Sequence, residues 1–139
     1  MESKITWKGG MAFTGTADDG YLIPLDSKKV VGGHEMGFRP MQLFAIALIG
    51  CTGMDVISIL QKKKQDVKEF IVSAELEKAE EHPKVFTKIV ITYKVIGKNI
   101  DEKAVERAVE LSETKYCPGQ AMLNKTADIT HKIIIEEAD

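Results

Sequence analysis

The chain has few cysteines, and they are not grouped as they would be in a metal centre. Its two cysteines, Cys51 and Cys117, form no Cys-x-x-Cys pair, and neither has a second histidine or cysteine at metal-ligand spacing. We therefore expect no metal site and no bound cofactor. The first residues contain no apolar run typical of a secretory signal. A cytoplasmic location is expected, and in that compartment a disulfide is usually transient rather than structural.

The chain also lacks a strong charge of either sign. With a formal charge of −2 at pH 7 and a pI near 6.0, neither nucleic acid nor an anionic membrane is a predicted partner. The apolar run 43–60 has the length of a short membrane span, but Thr52, Asp55 and Ser58 interrupt it, which favours a core helix. At 139 residues, with 44% apolar and 29% charged residues, residues 1–139 are predicted to form one domain.

Hydrophobic periodicity predicts an α+β fold with the order βββ-α-ββ-α-α-β and mostly antiparallel strands. The predicted elements are strands 4–8, 11–16 and 21–25, a loop 26–39, a helix from Pro40 to about 62–64, a hairpin of strands 69–79 and 85–96, a helix to about 116 with a capping box at Asn99, a short helix 118–125 and a strand 129–136. Glycine-containing turns separate the first three strands.

The first half of the predicted central helix, residues 43–49, is apolar on every side. A helix of this kind must be covered all round, and six strands in a chain of this length do not suffice to wrap it. A second copy of the chain would provide the remaining cover. The pattern therefore predicts a homodimer.

Cys51 lies on a helical stripe with Asp55, Ser58 and Lys62, where an apolar face becomes polar. One interpretation is a reactive thiol at a cleft, and the other is a small buried side chain that fills space. A carboxylate at Asp55 would oppose a neighbouring thiolate. Arg39 is one of only two arginines in the chain, and it lies off the face of Cys51.

Cys117 directly precedes Pro118, where the short helix is predicted to begin. Backbone N–H groups at a helix start favour negative charge, so local rules predict a stabilised thiolate at Cys117. The alternative is that this cysteine only caps the helix. His131 alternates with isoleucines in the last strand, which predicts a hydrogen-bonded core histidine rather than a catalytic one.

At these same residues the chain resembles the OsmC/Ohr family, the osmotically inducible and organic hydroperoxide resistance proteins. The resemblance follows Arg39-Pro40-Met41-Gln42-Leu43-Phe44-Ala45 to Cys51, continues through the long hairpin and ends at Lys115-Tyr116-Cys117. Residues 51–62 and 108–112 are similar to a subgroup of uncharacterised OsmC-like proteins.

The resemblance implies an intertwined homodimer with a long central helix and two sites at the subunit interface. It also implies thiol-dependent reduction of organic hydroperoxides, or of hydrogen peroxide, in oxidative stress defence. Cys51 would attack the peroxide and become a sulfenic acid, and Cys117 would resolve it to a disulfide. A small dithiol or a thioredoxin-type protein would restore the thiols. The alternative is a protein of the same fold that binds a small molecule or senses redox state with little turnover.

Two positions depart from the family pattern. Family peroxidases carry a glutamate directly after the proline that opens the central helix, and here Met41 occupies that place. They also use an arginine from the N-terminal strand region, whereas residues 1–38 contain none. The candidate supporting residues are Arg39, Gln42, Glu35 and Asp55.

Overall fold

The computed structural model describes all residues from Met1 to Asp139 and confirms the predicted α+β fold and element order. The elements are β1 (Ser3–Gly9), β2 (Ala12–Ala17), β3 (Leu22–Leu25), α1 (Pro40–Lys62), β4 (Asp66–Lys78), β5 (Phe86–Lys98), α2 (Glu102–Leu111), α3 (Pro118–Leu123) and β6 (Asp128–Glu137). The chain divides into two compact units, Met1–Phe44 and Ala45–Asp139. The single-domain organisation stays a prediction.

The first unit is built on an antiparallel sheet in the order β1-β2-β3. The β1–β2 turn passes through Gly9 and Gly10, whose φ angles of 104° and 54° are readily adopted only by glycine. The predicted loop 26–39 follows and contains one 3₁₀ turn, Lys29–Val31. The Gly9-Gly10 turn explains why β1 and β2 lie side by side as an antiparallel pair.

Asp26 organises this loop. Its carboxylate accepts the backbone N–H groups of Ser27 at 2.7 Å and of His34 and Met36 at 3.2 Å each. These hydrogen bonds, that from Ser27 foremost, hold the pKa of Asp26 below its usual value. A single buried side chain therefore satisfies three backbone donors of an otherwise irregular segment.

The second unit contains a sheet in the order β4-β5-β6. β4 and β5 form the predicted antiparallel hairpin, whereas β6 lies parallel to β5, with Tyr93 opposite Ile133. A parallel pair needs a long crossover connection, and the segment of α2 and α3 provides it. The other three strand pairings are antiparallel, so the sheets are mostly antiparallel as predicted.

The core of this unit lies along one face of β5 and the apolar stripes of α1 and α2. Its fully or nearly fully buried residues are Leu48, Val56, Leu60, Phe86, Ile89, Ile91, Tyr93, Val95, Ala104, Val105, Ala108 and Val109. The approach of α1 to β4 is close at Gly53, because a Cβ there would stand 3.3 Å from Cγ2 of Val72. The periodicity of these residues is what directs the two helices onto the sheet.

The start and the end of α2 differ from the prediction. Asp101, not Asn99, is the N-cap, and its carboxylate accepts the backbone N–H of Lys103 at 3.0 Å. Asn99 has a φ of 49° and donates its own N–H to Glu137. The α-helical part also ends earlier than predicted, at Leu111, and the next turn, Ser112–Tyr116, is π-helical. The capping-box spacing at Asn99 was therefore misleading, since an aspartate two residues later is an equally good cap.

The central helix leaves apolar side chains uncovered. Phe44, Ile46 and Met54 are 55%, 47% and 73% exposed in the single chain. By length and composition α1 could cross a bilayer, a property it shares with many core helices, so this is weak evidence for a membrane. The exposed residues agree with the expectation that this helix needs more cover than one chain provides.

Candidate active site

The two cysteines meet in the second unit. Cys51 lies in the middle of α1, and Cys117 lies at the end of the π-helical turn, directly before α3. Their sulfur atoms are 3.2 Å apart, with the S–H of Cys117 donating to Sγ of Cys51. Cys51 is partly exposed, whereas Cys117 is only 3% exposed. The pair is therefore asymmetric, with one thiol accessible and the other enclosed.

Backbone hydrogen bonds hold Cys117 on both sides. Its N–H donates to the carbonyl oxygen of Ser112 at 2.8 Å, and its sulfur accepts the N–H of Gln120 at 3.3 Å. The cysteine is thus the N-cap of α3, as one of the two interpretations of the sequence proposed. Pro118 at the first helical position has no N–H to satisfy.

The predicted stabilisation of a thiolate at Cys117 is wrong. Burial raises the pKa of Cys117 to about 11, and the neighbouring sulfur of Cys51 adds to the increase. The N–H groups of Gln120 and Gly119 act in the opposite direction and do not compensate. α3 has only six residues, so its dipole is weak beside the cost of desolvating a charge. The proton therefore stays on Cys117 at neutral pH.

The charged residues near the cysteines in the sequence have other partners. Lys115, which precedes Cys117 by two residues, lies with Nζ 5.2 Å from the ring centroid of Tyr116. Asp55, one turn beyond Cys51, accepts the hydroxyl proton of Ser112 at 2.9 Å. The carboxylate of Asp55 is thus engaged by a hydrogen bond from the buried Ser112.

A network of buried polar side chains that was not predicted from the sequence lies behind the two cysteines. Its centre is Thr52, whose hydroxyl lies 2.8 Å from Oη of Tyr93, 2.7 Å from Oγ of Ser112 and 3.0 Å from Nε2 of Gln120. All four side chains are at most 1% exposed. Burial raises the pKa of Tyr93 to about 12, so its hydroxyl stays protonated.

A signal for this network was present in the sequence. Thr52 interrupts an apolar helix, and Ser112 follows Ala108 and Val109 at the spacing of a buried helical face. Polar residues at buried positions require hydrogen-bond partners. Two such residues in separate helices indicate that they bond to each other.

His131 connects the network to the surface. Its Nε2 lies 2.9 Å from Oε1 of Gln120, its Nδ1 lies 3.6 Å from a carboxylate oxygen of Glu113, and its ring stacks on Tyr93. Burial lowers the pKa of His131, although the carboxylate of Glu113 opposes the shift. The prediction of a hydrogen-bonded core histidine is confirmed.

Three of the candidate supporting residues form a cluster of their own in the first unit. Arg39 makes an ion pair with Glu35 at 2.8 Å, and its backbone N–H donates to Oε1 of Gln42 at 2.9 Å. Gln42 thereby closes the first turn of α1 as the third residue of a capping box does. Their support of Cys51 stays a prediction. Nowhere in the chain do three histidine, cysteine, aspartate or glutamate side chains converge as a metal site.

Comparisons with known proteins find chains that are similar to this one in sequence and in fold. A family model described as OsmC-like protein matches residues 32–132. The chain is 37% identical over 131 residues to protein YhfA of Escherichia coli (strain K12), covering 94% of this chain and 95% of that protein. The solved structure of a hypothetical protein from Aquifex aeolicus VF5 matches with a TM-score of 0.87 and 29% identity, over 99% of this chain and 97% of that one.

A more distant structure shares the fold. It is an organic hydroperoxide resistance protein OsmC from Legionella pneumophila, which matches with a TM-score of 0.69 and 17% identity, over 96% of this chain and 95% of that one. The family model covers most of the chain, and the identity to YhfA extends over nearly all of it. The protein belongs to the OsmC-like protein family.

Proposed function

We propose that the protein is a thiol-dependent peroxidase that reduces organic hydroperoxides, with hydrogen peroxide as a smaller second substrate, in cytoplasmic defence against oxidative stress. The observation that carries this proposal is the 3.2 Å separation of the Cys51 and Cys117 sulfurs, with one thiol accessible and the other buried. Two thiols in contact can be oxidised to a disulfide with little movement of the backbone.

In the first step the thiolate of Cys51 attacks one oxygen of the hydroperoxide. A sulfur–oxygen bond forms and the oxygen–oxygen bond breaks, so that the peroxide is reduced to an alcohol and Cys51 becomes a sulfenic acid. The leaving alkoxide takes up a proton. The partial exposure of Cys51 supports its role as the attacking thiol, because the substrate must reach the sulfur.

In the second step the thiol of Cys117 attacks the sulfenic sulfur. A disulfide forms, and the hydroxyl leaves as water with the proton of Cys117. The raised pKa of Cys117, about 11, keeps its proton on the sulfur during the first step, when the S–H donates a hydrogen bond to Cys51. In the second step that proton must leave as the sulfur of Cys117 attacks. A small dithiol or a thioredoxin-type protein then reduces the disulfide by thiol–disulfide exchange and is itself oxidised.

The names of fold relatives support the same chemistry. Two solved structures of this fold, from Legionella pneumophila and Elizabethkingia anophelis, are organic hydroperoxide resistance proteins. Both are less than 20% identical to this chain. Their fold agrees with the proposal, and the activity itself rests on the cysteine pair.

We also propose that the working form is a homodimer. The first unit exposes large apolar side chains, among them Tyr21 at 80%, Leu22 at 72% and Trp7 at 64%. One face of its sheet forms an open cleft of about 660 Å³ lined by Ile5, Leu22 and Leu43. Exposed apolar surface of this extent is typical of an interface, and a second copy of the chain would cover it.

The proposal is tested with reduced protein and cumene hydroperoxide. We expect rapid loss of two thiols, a mass decrease of two hydrogens and formation of one equivalent of alcohol. Cys51→Ser should consume no peroxide. Cys117→Ser should consume one equivalent and stop at a sulfenic acid, which dimedone traps. Unreacted thiols in the wild type, or full consumption by Cys51→Ser, would contradict the proposal and favour a binding or sensing role.

A further inference from the structure

The hydrogen bonds of the buried network have one direction, which Asp55 determines. A carboxylate only accepts, so Ser112 uses its single hydroxyl proton on Asp55. Ser112 must then accept the proton of Thr52, and Thr52 must accept from Tyr93 and from the side-chain amide of Gln120. No buried side-chain nitrogen or oxygen is left without a partner.

The same logic determines the orientation of Gln120 and the donor role of His131. The amide nitrogen of Gln120 must face the hydroxyl of Thr52 as a donor, so its oxygen faces His131 at 2.9 Å. His131 therefore donates its Nε2–H to Gln120, and its Nδ1 faces the carboxylate of Glu113. Neither Gln120 nor His131 can reverse its role without breaking bonds elsewhere, so the network permits a single arrangement.

Gln120 and Ser112 each make a backbone hydrogen bond to Cys117. Each also makes a side-chain hydrogen bond to a residue of α1. Gln120 donates its N–H to the sulfur of Cys117 and its amide to Thr52. Ser112 accepts the N–H of Cys117 and bonds through its hydroxyl to Thr52 and Asp55. Because Thr52 follows Cys51 directly in α1, both residues link the two cysteines by short bonded paths.

We propose that Gln120 and Ser112 are positioning residues, which hold the sulfur of Cys117 against Cys51 so that the disulfide closes before a second peroxide reacts. This inference rests on the proposed function and extends it to the fate of the sulfenic acid. α3 is six residues long and a helix of that length has little stability of its own. The network therefore holds the resolving thiol where apolar packing alone would leave it free to shift.

The chemistry explains why position matters. The sulfenic acid of Cys51 has two competing fates. Attack by the Cys117 thiol gives a disulfide and water, whereas attack on a second hydroperoxide gives a sulfinic acid and a second alcohol. The first route is intramolecular and depends steeply on the separation and angle of the two sulfurs. The second route does not involve Cys117.

The test compares Gln120→Met and Ser112→Ala with Tyr93→Phe. All three remove a buried hydrogen bond to Thr52, but Tyr93 lies in β5 and has no backbone bond to Cys117. Each reduced protein receives one equivalent of cumene hydroperoxide, and dimedone is added at intervals before intact-mass analysis. The sulfenic acid should form at the wild-type rate in Gln120→Met and Tyr93→Phe. In Ser112→Ala, which also removes the hydrogen bond to Asp55, its rate of formation is measured separately, and only the later closure step is compared.

The lifetime of the sulfenic acid should then separate the variants. We expect closure of the disulfide to slow by about tenfold to a hundredfold in Gln120→Met and Ser112→Ala, the range for a reacting group misplaced by about 1 Å. Sulfinic acid should accumulate in these two at excess peroxide. Tyr93→Phe should close at nearly the wild-type rate despite a similar loss of thermal stability. Equal closure in all three would overturn the inference.

A second measurement uses no peroxide. The dithiol–disulfide equilibrium against dithiothreitol should shift by about tenfold toward the dithiol in Gln120→Met and Ser112→Ala, a rise of about 30 mV in reduction potential. Tyr93→Phe should not shift. If wild-type thiols do not react with hydroperoxide, but the dithiol–disulfide equilibrium shifts toward the dithiol in Gln120→Met and Ser112→Ala, the proposed peroxidase function fails and the positioning role stands. If the equilibrium is unchanged in both variants, the positioning role fails. Gln120→Leu, which also lacks the donors and carries no charge, replaces Gln120→Met should that variant not fold.

Discussion

The two compact units of the chain differ in how well each buries its own apolar side chains. In Ala45–Asp139, residues such as Ile91 and Val105 are completely buried. In Met1–Phe44 no apolar side chain is fully buried, and Tyr21 is 80% exposed. The second unit therefore buries an apolar core within the single chain, whereas the first unit leaves the apolar side chains of its sheet exposed.

The difference extends to polar groups. The second unit encloses a hydrogen-bonded network behind its cysteines, and a buried network must be fully satisfied because each unpaired group costs about 1–3 kcal/mol. In the first unit the comparable buried polar group is a single carboxylate, that of Asp26, which accepts hydrogen bonds from three backbone N–H groups of one loop. The candidate chemistry thus lies in the unit whose interior is more completely buried and hydrogen-bonded, which suits reacting groups that must be held in position.

The largest expected effect is on the core of the second unit. Ile91→Ala should lower the free energy of unfolding by about 2–5 kcal/mol, because it leaves a cavity between the sheet and the helices. The matched change in the first unit, Ile5→Ala, removes the same atoms from a side chain that is 60% exposed. It should cost less than about 0.5 kcal/mol in dilute protein.

Urea unfolding of both variants at low protein concentration measures this contrast. A loss at Ile5 as large as that at Ile91 would mean that the first unit has a hidden core, and the comparison between the units would be wrong.

The second prediction concerns the cover of the first unit. Leu22 is 72% exposed and lines the cleft on the sheet. Leu22→Glu should weaken self-association at least tenfold, which corresponds to about 1.4 kcal/mol, because a desolvated carboxylate would replace an apolar contact. Light scattering over a concentration series measures the dimer fraction.

Val30→Glu is the matched control for this change. Val30 is also in the first unit and is 86% exposed, but it does not line the cleft, so its substitution should leave the dimer intact. If both variants dimerise as the wild type does, the cleft is not the interface.

The fold could be predicted because its signals are local. Alternating strands separated by glycine turns, the apolar helix after Pro40 and the polar hairpin loop each depend on neighbouring residues, and all were found at nearly the right bounds. The parallel pairing of β6 was not foreseen, since pairing direction depends on how a long connection crosses the sheet. The cap of α2 was placed two residues early because Asn99 and Asp101 offer similar side chains.

The site could be predicted from the sequence less completely than the fold, and the reason is physical. The pKa of Cys117 depends on burial, and burial belongs to the tertiary structure. Local rules therefore favoured a thiolate at Cys117, where burial raises the pKa to about 11. The resemblance to a family suggested that Cys51 and Cys117 work together, but Thr52, Ser112 and Gln120 became visible only as neighbours in space.

The smallest expected effect is a difference in how the two units respond to acid. Burial holds the pKa of His131 below its ordinary value, so the unfolded chain binds a proton near pH 6.5 that the folded protein does not bind until lower pH. The stability of the second unit should therefore decline as the pH falls below about 6.5. Asp26 has a lowered pKa too, but its contribution is lost only below the usual carboxyl range, under about pH 4.

Urea midpoints measured between pH 7 and pH 5 test this prediction, because the carboxylate Asp26 does not titrate in that range. The wild type should lose stability with falling pH, and His131→Gln should show a flatter profile, since glutamine keeps a donor for Gln120 and cannot be protonated. A wild-type profile that is flat, or a variant as steep as the wild type, would show that protonation of His131 is no harder in the folded protein. The acid response would then belong to carboxylates common to both units, and the contrast between them would be limited to apolar burial.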